Sequence, residues 1–338
     1  MKESVAVIIP CRNEEKYIGK CIESFINQTY PKELLEIVIA DGRSDDKTRT
    51  IIKDYMDKYE NVKLVDNEKL TAPSGMNKAI NETKTDIVII FGAHAEADKD
   101  FVLENVKALE NKTVGCAGGT IKTISDSIKG EAIAQAMMCP FGVGNALFRY
   151  AKEECYVDTV GFGAYRRSVL EEIGIFDEEL VRDQDDELNF RVTKSGKKIL
   201  LSPRIKGVYY SRSSIRKLWK QYYQYGFWKI RVMQKHKKPA SIRHLVPLTF
   251  VVGIILGGLL SVIFTPVAWI YVITLGLYFI LDIIFSVKMS RNYKSFKYLL
   301  LIFPTLHLAY GLGTLMGIYN FYISNNSRMV EANKEISR

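Results

Sequence analysis

The chain has 338 residues, of which 47% are hydrophobic and 25% are charged, a composition that excludes a wholly disordered or fibrous protein. Its formal net charge of +9 is unevenly distributed, because the part from Arg204 to Arg338 contains 19 lysines and arginines but only three acids. The positive charge coincides with long apolar runs in the same part of the chain. This combination favours an anionic membrane surface as a partner and argues against nucleic acid.

Residues 1–208 predict a domain of alternating strands and helices. Val5–Ile9 is a β-branched run typical of a strand buried on both faces, and Glu14–Gln28 has the apolar spacing of one helix face. The alternation continues through strands at 35–40, 62–65 and 86–91 and helices at 44–59 and 74–83. Ser44 or Asp45 is expected to cap the first of these two helices. We therefore expect an α/β fold with a mostly parallel sheet and helices on both faces.

Three of these strands end in polar, charged or small residues, at 10–14, at Asp41-Gly42 and at 92–94. In sheets of this type, ligands bind in the crevice beyond the carboxyl ends of the strands. The three strand ends therefore predict one site, with a nucleotide as its ligand. Asp-Gly is also a common turn dipeptide, so a structural role for Asp41 is the alternative.

Six short segments follow one another in a distinctive order, at 10–15, 41–48, 140–144, 157–163, 182–189 and 221–228. As an ordered set they resemble family 2 glycosyltransferases of the GT-A fold, in the branch of the succinoglycan-biosynthesis type, over roughly residues 5 to 250. The resemblance implies a nucleotide-activated sugar, usually a UDP-sugar, as the donor, and transfer with inversion at the anomeric carbon. In this branch the implied acceptor is a sugar carried on a polyprenyl diphosphate lipid.

The segment Asp185–Arg191 predicts the start of a helix with acids in its first turn. An inverting transfer needs a carboxylate that removes the proton of the acceptor hydroxyl as its oxygen attacks. The resemblance places Asp185 at the position of this catalytic base, with Asp186 as the second candidate. Acids also favour the first turn of a helix through the helix dipole, which is the structural alternative.

Gly92-Ala93-His94 stands where the family commonly has Asp-x-Asp, the motif that holds Mn²⁺ or Mg²⁺ against the donor diphosphate. The resemblance therefore implies His94 as the metal ligand, while Gly92 replaces a residue that usually contacts the ribose or assists the metal. Imidazole suits Mn²⁺ better than Mg²⁺. Glu96 and Asp98 lie close in the sequence and can supply oxygen ligands. A purely structural histidine is the alternative.

The resemblance also implies contacts to the donor nucleotide. Asp41 is expected to accept a hydrogen bond from the uracil imide. The first nucleotide-contacting loop, the fourth strand end and the helix beneath the donor contribute further expected contacts, which are Pro10, Arg12, Glu14, Asn77 and Gly92. Asn77 can equally be only a polar position on its helix.

The acceptor side is implied by glycines and by a basic, aromatic segment. The resemblance places Gly161 and Gly163 in the acceptor wall. Residues 209–243 combine cations and aromatic side chains without any acid, which predicts interfacial helices lying on an anionic leaflet. Within them, the expected contacts to the acceptor or its lipid diphosphate are Arg212, Arg216, Gln221, Gln224 and Trp228. Plain solvated charge is the alternative for the arginines.

Two runs without Asp, Glu, Lys or Arg follow, 37 residues from Leu245 to Leu281 and 30 residues from Tyr298 to Ser327. About 20 apolar residues cross a bilayer. With a break at Thr265-Pro266, the runs predict three transmembrane helices and a tail, at about 245–264, 267–287, 298–322 and 326–338. Flanking basic residues, and no secretory pattern before the first strand, predict a multi-pass protein of the cell membrane with a cytoplasmic catalytic domain.

These features together predict a membrane-anchored, inverting glycosyltransferase that extends a polyprenyl-diphosphate-linked saccharide during polysaccharide or glycan assembly. A polyprenyl-phosphate monosaccharide synthase is one alternative, because such enzymes also join this catalytic fold to membrane spans. A catalytically silent scaffold of an assembly complex is another, supported by Gly92 and Gln184 at positions where the family often has acids. The sequence predicts no particular oligomeric state.

Overall fold

The computed structural model describes residues 3–211, 214–237 and 242–334. The chain divides into two compact units. The first consists of the chain up to Lys122 and of Leu147–Tyr210, and the second of Thr123–Ala146 and the chain from Ser211 onward. The first unit differs from the predicted catalytic range 1–208 mainly because Thr123–Ala146 belongs to the second unit.

The described residues form nine strands, which are β1 (Val5–Cys11), β2 (Leu35–Asp41), β3 (Val62–Asp66), β4 (Ile87–Ile90), β5 (Ala95–Ala97), β6 (Val114–Ile124), β7 (Cys155–Tyr156), β8 (Gly161–Arg166) and β9 (Lys198–Tyr210). They make one sheet in the order β3-β2-β1-β4-β8-β6-β9-β5, with β7 paired to β9. The strands β3, β2, β1 and β4 are parallel, and antiparallel pairing begins between β4 and β8. The parallel half confirms the predicted α/β class.

The helices are, in chain order, α1 (Ile18–Ile26), α2 (Thr48–Met56), α3 (Ala72–Asn81), α4 (Phe101–Leu109), α5 (Ile128–Met137), α6 (Pro140–Val143), α7 (Arg167–Ile173), α8 (Gln184–Lys194), α9 (Ile215–His236), α10 (Val246–Ser261), α11 (Thr265–Met289), α12 (Tyr293–Ile318) and α13 (Ser327–Ala332). Short 3₁₀ turns lie at Lys32–Leu34, Leu147–Arg149 and Ile242–Leu245. A π-helical segment, Tyr319–Ser324, continues directly from α12.

The strand β1 explains why the sheet lies between two helical layers. Its apolar residues are fully buried and alternate between the two faces, so that Val5, Val7 and Ile9 join one cluster while Ala6 and Ile8 join the other. Helices α1, α2 and α4 complete the first cluster, and α3, α7 and α8 complete the second. The continuous apolar run is thus buried on both faces, as the sequence predicts.

Two helices begin later than the sequence pattern predicts. The helix α1 begins four residues after Glu14, and α2 begins four residues after Ser44. Neither Ser44 nor Asp45 caps α2. The hydroxyl of Ser44 instead donates to the carboxylate of Asp41, so a residue type that favours helix caps is used by a tertiary contact.

In the second unit, α9 and α12 pack at very short distance through glycines. A Cβ added to Gly226 of α9 would overlap the backbone oxygen of Tyr310, and one added to Gly313 of α12 would overlap that of Tyr223. Small residues of this kind let two helix backbones approach closely. Trp228 on α9 is fully buried as a result. Trp228 therefore does not face a leaflet, whereas Trp219 of the same helix is exposed, and the interfacial helices at 209–243 stay a prediction.

Two stretches of the described second unit are long and apolar enough to cross a membrane, by length and composition, and they are Thr265–Met289 with 25 residues and Tyr293–Ser324 with 32. The prediction of a third span at 245–264 is wrong, because α10 has only 16 residues. At 1.5 Å per residue this helix is about 24 Å long, short of the hydrocarbon core of about 30 Å. The next helix starts at Thr265, with Pro266 in its first turn.

The substitution Gly313→Ala tests the close packing of α9 and α12. The added methyl group overlaps backbone, so the helices must separate, and we expect a loss of about 3 kcal/mol in stability and a lower Tm in detergent. The matched control is Gly276→Ala on α11, because a Cβ there meets no heavy atom within 4 Å. Alanine in that position also favours a helix over glycine. Equal Tm values for the two variants would contradict the proposed packing constraint.

Candidate active site

The loops that follow β1 and β2 are hydrogen-bonded to each other at the carboxyl edge of the sheet. The backbone N–H of Asn13 donates to the Ser44 hydroxyl over 2.8 Å, and that of Asp45 donates to the Asn13 side chain over 3.0 Å. The N–H of Glu14 donates to the Thr48 hydroxyl over 2.7 Å. Two of the three predicted strand ends therefore form one connected edge.

Asp41 ends β2 and is fully buried. Its Oδ1 accepts hydrogen bonds from the Ser44 hydroxyl and, over 3.6 Å, from the Cys11 thiol. Its Oδ2 accepts from the Ser44 N–H over 3.1 Å and from Arg49 Nη1 over 2.9 Å. A carboxylate offers about four lone-pair sites, so these donors occupy the whole group. A further donor, such as the predicted uracil imide, must therefore replace one of them.

Arg49 is a residue that the sequence analysis does not single out. Its Nη1 lies 2.9 Å from Asp41 and 2.7 Å from Asp66, the last residue of β3. The hydrogen bond from Arg49 holds the pKa of Asp66 below its ordinary value, and the same bond raises the pKa of Arg49. One guanidinium thus joins the ends of two strands. One sequence feature could have indicated this role of Arg49, which is its position at the start of the helix that follows the Asp-Gly strand end.

His94 and Glu14 form a pair at the ends of β4 and β1. The Nδ1 atom of His94 lies 3.2 Å from Oε1 of Glu14, although the residues are 80 positions apart in the chain. Glu14 is buried, and the imidazole packs edge-on against the ring of Tyr209 with 4.9 Å between centroids. The structure therefore brings the predicted metal ligand together with a residue predicted for the first nucleotide-contacting loop.

The described residues contain no group of three or more His, Cys, Asp or Glu side chains that could hold a metal ion. The carboxylate of Glu96 accepts a hydrogen bond from the Tyr210 hydroxyl, and that of Asp98 accepts from the backbone of Asp100 over 3.2 Å. A Mn²⁺ or Mg²⁺ ion fits this edge if His94 and Glu14 supply the protein ligands and the donor diphosphate completes the coordination. Sites with one or two protein ligands plus substrate phosphates are common for such ions.

Gly92 lies beneath an aromatic ring. A Cβ added to Gly92 would be 3.2 Å from Cε1 of Phe162, which stands between the two glycines expected in the acceptor wall. The ring of Phe162 also packs on Phe91 with 4.1 Å between centroids. Local packing therefore accounts for a glycine at the position where the family commonly has an acid.

The helix α8 begins with three acids in its first turn, Asp185, Asp186 and Glu187, as the sequence predicts. Asp185 is exposed and Asp186 is half-buried. Later in the same helix, Arg191 pairs with Glu187 over 2.7 Å and donates to the backbone oxygens of residues 173–175. These contacts fix the helix while its first turn stays open to a substrate.

A fully buried asparagine connects α8 to β8. The Oδ1 atom of Asn189 accepts from the Tyr165 hydroxyl over 2.9 Å, and its Nδ2 donates to Thr159 over 3.0 Å. Burial raises the pKa of Tyr165 well above its ordinary value, and the charge of Asp185 adds to the effect, so this hydroxyl remains a donor. Asp185 lies four residues before Asn189 and shares its helix face. The predicted base is therefore on the helix face that bonds to Tyr165 of β8 and to Thr159 just before this strand.

The remaining predicted donor contacts lie in or near the first loop and on α3. Pro10 and Arg12 are half-buried at the end of β1. Asn77 is buried, donates to the backbone oxygen of Phe176 over 2.8 Å and accepts from its N–H over 3.0 Å. The side chain of Asn77 thus ties α3 to the segment after α7.

The predicted acceptor residues of α9 bind other parts of the second unit. Gln224 Nε2 and Trp228 Nε1 both donate to the backbone oxygen of Asn333 over 3.1 Å. Gln221 Nε2 donates to the Tyr225 hydroxyl over 2.8 Å. Gln224 and Trp228 thus hold the C-terminal segment, whereas Gln221 bonds within its own helix.

The other predicted acceptor residues are divided between the two units. Gly161 and Gly163 lie at the start of β8, and Arg216 is exposed in the first turn of α9. Arg212 lies outside the described residues.

Comparison with known proteins places the chain among sugar transferases. The model of glycosyl transferase family 2 matches residues 6–174. Over 272 residues the chain is 39% identical to the dolichyl N-acetyl-alpha-D-glucosaminyl phosphate 3-beta-D-2,3-diacetamido-2,3-dideoxy-beta-D-glucuronosyltransferase of Methanococcus voltae, covering 77% of this chain and 84% of that protein. It is 28% identical to the succinoglycan biosynthesis protein ExoA of Rhizobium meliloti, over 81% and 82% of the two chains.

A solved structure is similar over nearly the whole chain. The mannosyltransferase PcManGT from Pyrobaculum calidifontis, in complex with GDP-Man and Mn²⁺, aligns with a TM-score of 0.67 over 95% of this chain and 88% of that one. The sequence identity is 16%, so the likeness shows the fold alone. The fold is GT-A-like, as the resemblance in the sequence implies.

The substitution Arg49→Met tests the ion pair beneath the sheet edge. It leaves the buried carboxylate of Asp41 without its guanidinium, and because the Arg49 side chain is 33% exposed we expect a cost of about 3 kcal/mol, the low end for breaking a buried pair. The control is Lys63→Met, which removes an exposed partner of Glu36 and should cost about 0–1 kcal/mol. Thermal unfolding at neutral pH measures both, and equal losses would contradict the assignment.

The pH dependence of the Arg49→Met effect has a definite sign. The pKa of Asp66 is lowered from 3.8 in the folded state, so its pair with Arg49 stabilises the protein at pH values above 3.8. This stabilisation is lost as the pH falls through the folded-state pKa. The difference in Tm between wild type and variant should therefore shrink on acidification. A difference that stays constant between neutral pH and about pH 3 would show that Asp66 is not the titrating partner.

Proposed function

Because the chain belongs to glycosyl transferase family 2, we propose that it transfers a sugar with inversion from a UDP-sugar to a saccharide carried on polyprenyl diphosphate at a membrane. The observation that carries this proposal is the placement of Asp41 at the end of β2 and of Asp185 on the helix face that meets β8. The two carboxylates lie toward opposite ends of one sheet edge.

The order of the strands sets the length of the proposed donor site. From the end of β2, the edge passes β1 and β4 and reaches β8. With about 4.8 Å between neighbouring strands, β2 and β8 are about 14 Å apart. The strand β8 is antiparallel to β4, so its first residues lie where β4 ends. The proposed positions follow the order of groups in a nucleotide-diphosphate sugar, with the nucleobase near Asp41, the diphosphate near His94 and the sugar near Gly161.

Asp185 is the proposed catalytic base. Its carboxylate accepts the proton of an acceptor hydroxyl while the hydroxyl oxygen forms a bond to the anomeric carbon. The bond between that carbon and the diphosphate oxygen breaks at the same time, and attack from the opposite side inverts the configuration. The exposure of Asp185 on a helix fixed by Asn189 suits this task.

The departing diphosphate needs positive charge at the sheet edge. His94 and Glu14 are the residues that would hold a divalent cation, Mn²⁺ or Mg²⁺, which when bound would neutralise the leaving group as a Lewis acid. Glu14 orients the imidazole through the contact at Nδ1. Arg12, half-buried in the same loop, adds a fixed charge.

The lipid-linked acceptor is supported by the relatives. The name of the Methanococcus voltae protein describes a dolichyl-linked N-acetylglucosaminyl phosphate, and that of the Rhizobium meliloti protein describes succinoglycan biosynthesis. Two helices of spanning length and the basic second half of the chain support attachment to an anionic membrane. We propose that the sheet domain faces the cytoplasm, where the flanking cations favour it.

A polyprenyl-phosphate monosaccharide synthase is the second candidate, because it also pairs this fold with apolar helices. The two functions differ in the linkage that they create. A label in a lipid diphosphate saccharide supports the main proposal, whereas a label released by mild acid as a single sugar from a lipid monophosphate supports the synthase. A label released by mild acid as a disaccharide would keep the transfer to a lipid-linked saccharide and replace the diphosphate by a monophosphate, the form named for the Methanococcus voltae relative. The assay uses a panel of radiolabelled UDP- and GDP-sugars with lipid extract, in Mn²⁺, Mg²⁺ or EDTA.

The substitution Asp185→Asn separates catalysis from donor binding. Loss of the general base should lower kcat by about 10²–10⁴-fold, while the Kd for UDP changes little because the base is distant from the nucleotide. The neighbouring Asp186→Asn keeps the same charge change in the first turn and should retain most activity. If Asp186→Asn is the inactive variant, the roles of the two acids are reversed. If both variants keep wild-type kcat, the proposed base is wrong.

A further inference from the structure

One residue at the sheet edge, Phe162, has a backbone conformation that few bulky residues adopt. Its φ of 56° lies in the left-handed region, where a large side chain is disfavoured. Such a conformation persists only where the surrounding structure enforces it, and it is concentrated at functional sites. The strain at Phe162 therefore calls for a physical explanation.

The two glycines beside Phe162 allow close packing around it. A Cβ on Gly161 would overlap the side chain of Ile121, and one on Gly163 would lie 2.8 Å from the Tyr165 hydroxyl. Larger residues are thus excluded on both sides of Phe162, and the only bulky side chain of these three positions is the phenyl ring.

The ring of Phe162 covers the end of β4. It packs on Phe91 with 4.1 Å between centroids, and its Cε1 lies 3.2 Å from the Cβ position of Gly92. On its other side it reaches within 3.5 Å of the Cβ position of Gly207 in β9. The residue as a whole is nevertheless only half-buried.

The register of the sheet places this ring at the crevice. Ile89 of β4 pairs with Ala164 of β8, and continuing the antiparallel register by two residues sets Phe91 opposite Phe162. His94 follows Phe91 by three residues at the same strand end. This half-buried residue therefore lies beside the proposed diphosphate position, on the side toward β8.

We propose that Phe162 is a specificity-determining residue that receives the C–H face of the donor sugar. This inference rests on the proposed function, because it uses the order of base, diphosphate and sugar along the strand ends. With glycine at 92 and a phenyl ring above it, the edge offers an apolar surface where the family commonly has a carboxylate. Aromatic rings provide such flat surfaces at little cost in conformational entropy.

The prediction separates the sugar from the nucleotide. The phenyl ring contributes to binding of the nucleotide sugar and not to binding of UDP, because Phe162 lies on the β8 side of His94, beyond the diphosphate in the proposed order of groups. In Phe162→Leu, the Kd for the sugar nucleotide should rise about tenfold while the Kd for UDP stays within about twofold. Titration calorimetry with UDP and with UDP-N-acetylglucosamine, then with whichever UDP- or GDP-sugar gives transfer and its nucleoside diphosphate, measures both values.

Two further variants keep the test interpretable. Gly92→Ala places a methyl group 3.2 Å from the ring and leaves the ring in place. This variant should also raise the Kd for the sugar nucleotide, but by a smaller factor than Phe162→Leu. Phe101→Leu is the matched control, because Phe101 also packs edge-on against Phe91, at 5.3 Å between centroids, but is fully buried. It should lower Tm without changing the ratio of the two Kd values.

The outcomes distinguish the two levels of the proposal. An increased ratio of the Kd for the sugar nucleotide to that for UDP, in Phe162→Leu but not in Phe101→Leu, supports the assignment. An unchanged ratio in Phe162→Leu, with wild-type binding intact, overturns the assignment and leaves the proposed function standing. Absence of nucleotide-sugar binding by the wild-type protein overturns both.

Discussion

The buried carboxylate of Asp41 is the group on which the arrangement of the sheet edge depends. A charge removed from water must be compensated by hydrogen-bond donors and by opposite charge. Asp41 obtains both from the segment after its own strand, through Ser44 and Arg49. Ser44 is held in turn by Asn13 of the preceding loop, and Arg49 extends to Asp66. The compensation of one charge thus fixes the ends of three neighbouring strands.

The opposite end of the edge is organised by a neutral group. Asn189 uses its carbonyl oxygen for Tyr165 and its amide nitrogen for Thr159, so both ends of the amide are satisfied away from water. This leaves Asp185, one turn earlier, exposed. In the proposed reaction, a carboxylate that recognises the nucleobase of the donor benefits from a fixed geometry. A carboxylate that acts as the catalytic base must instead be within reach of the acceptor hydroxyl. Asp41 and Asp185 have these two contrasting environments.

The parts of the fold that depend on local pattern can be predicted from the sequence, and the others cannot. The run Val5–Ile9 predicts a doubly buried strand because every residue in it is apolar, and the structure confirms it. The start of α2 is mispredicted because the Ser44 hydroxyl has a tertiary acceptor. The span at 245–264 is mispredicted because composition shows the extent of an apolar run but not of the helix within it: α10 ends at Ser261, before the break at Thr265-Pro266 that the sequence does predict.

The same division applies to the candidate site. The strand ends and the start of α8 can be predicted from the sequence, and they include the positions of Asp41, His94 and Asp185. A contact between distant strands cannot be predicted from the sequence. From the sequence alone, Gly92 is therefore interpreted as a lost acid and as support for a silent scaffold. In the structure, the position above that glycine is filled by Phe162. The absent carboxylate is therefore one half of a packing arrangement, and a glycine there is compatible with a working transferase.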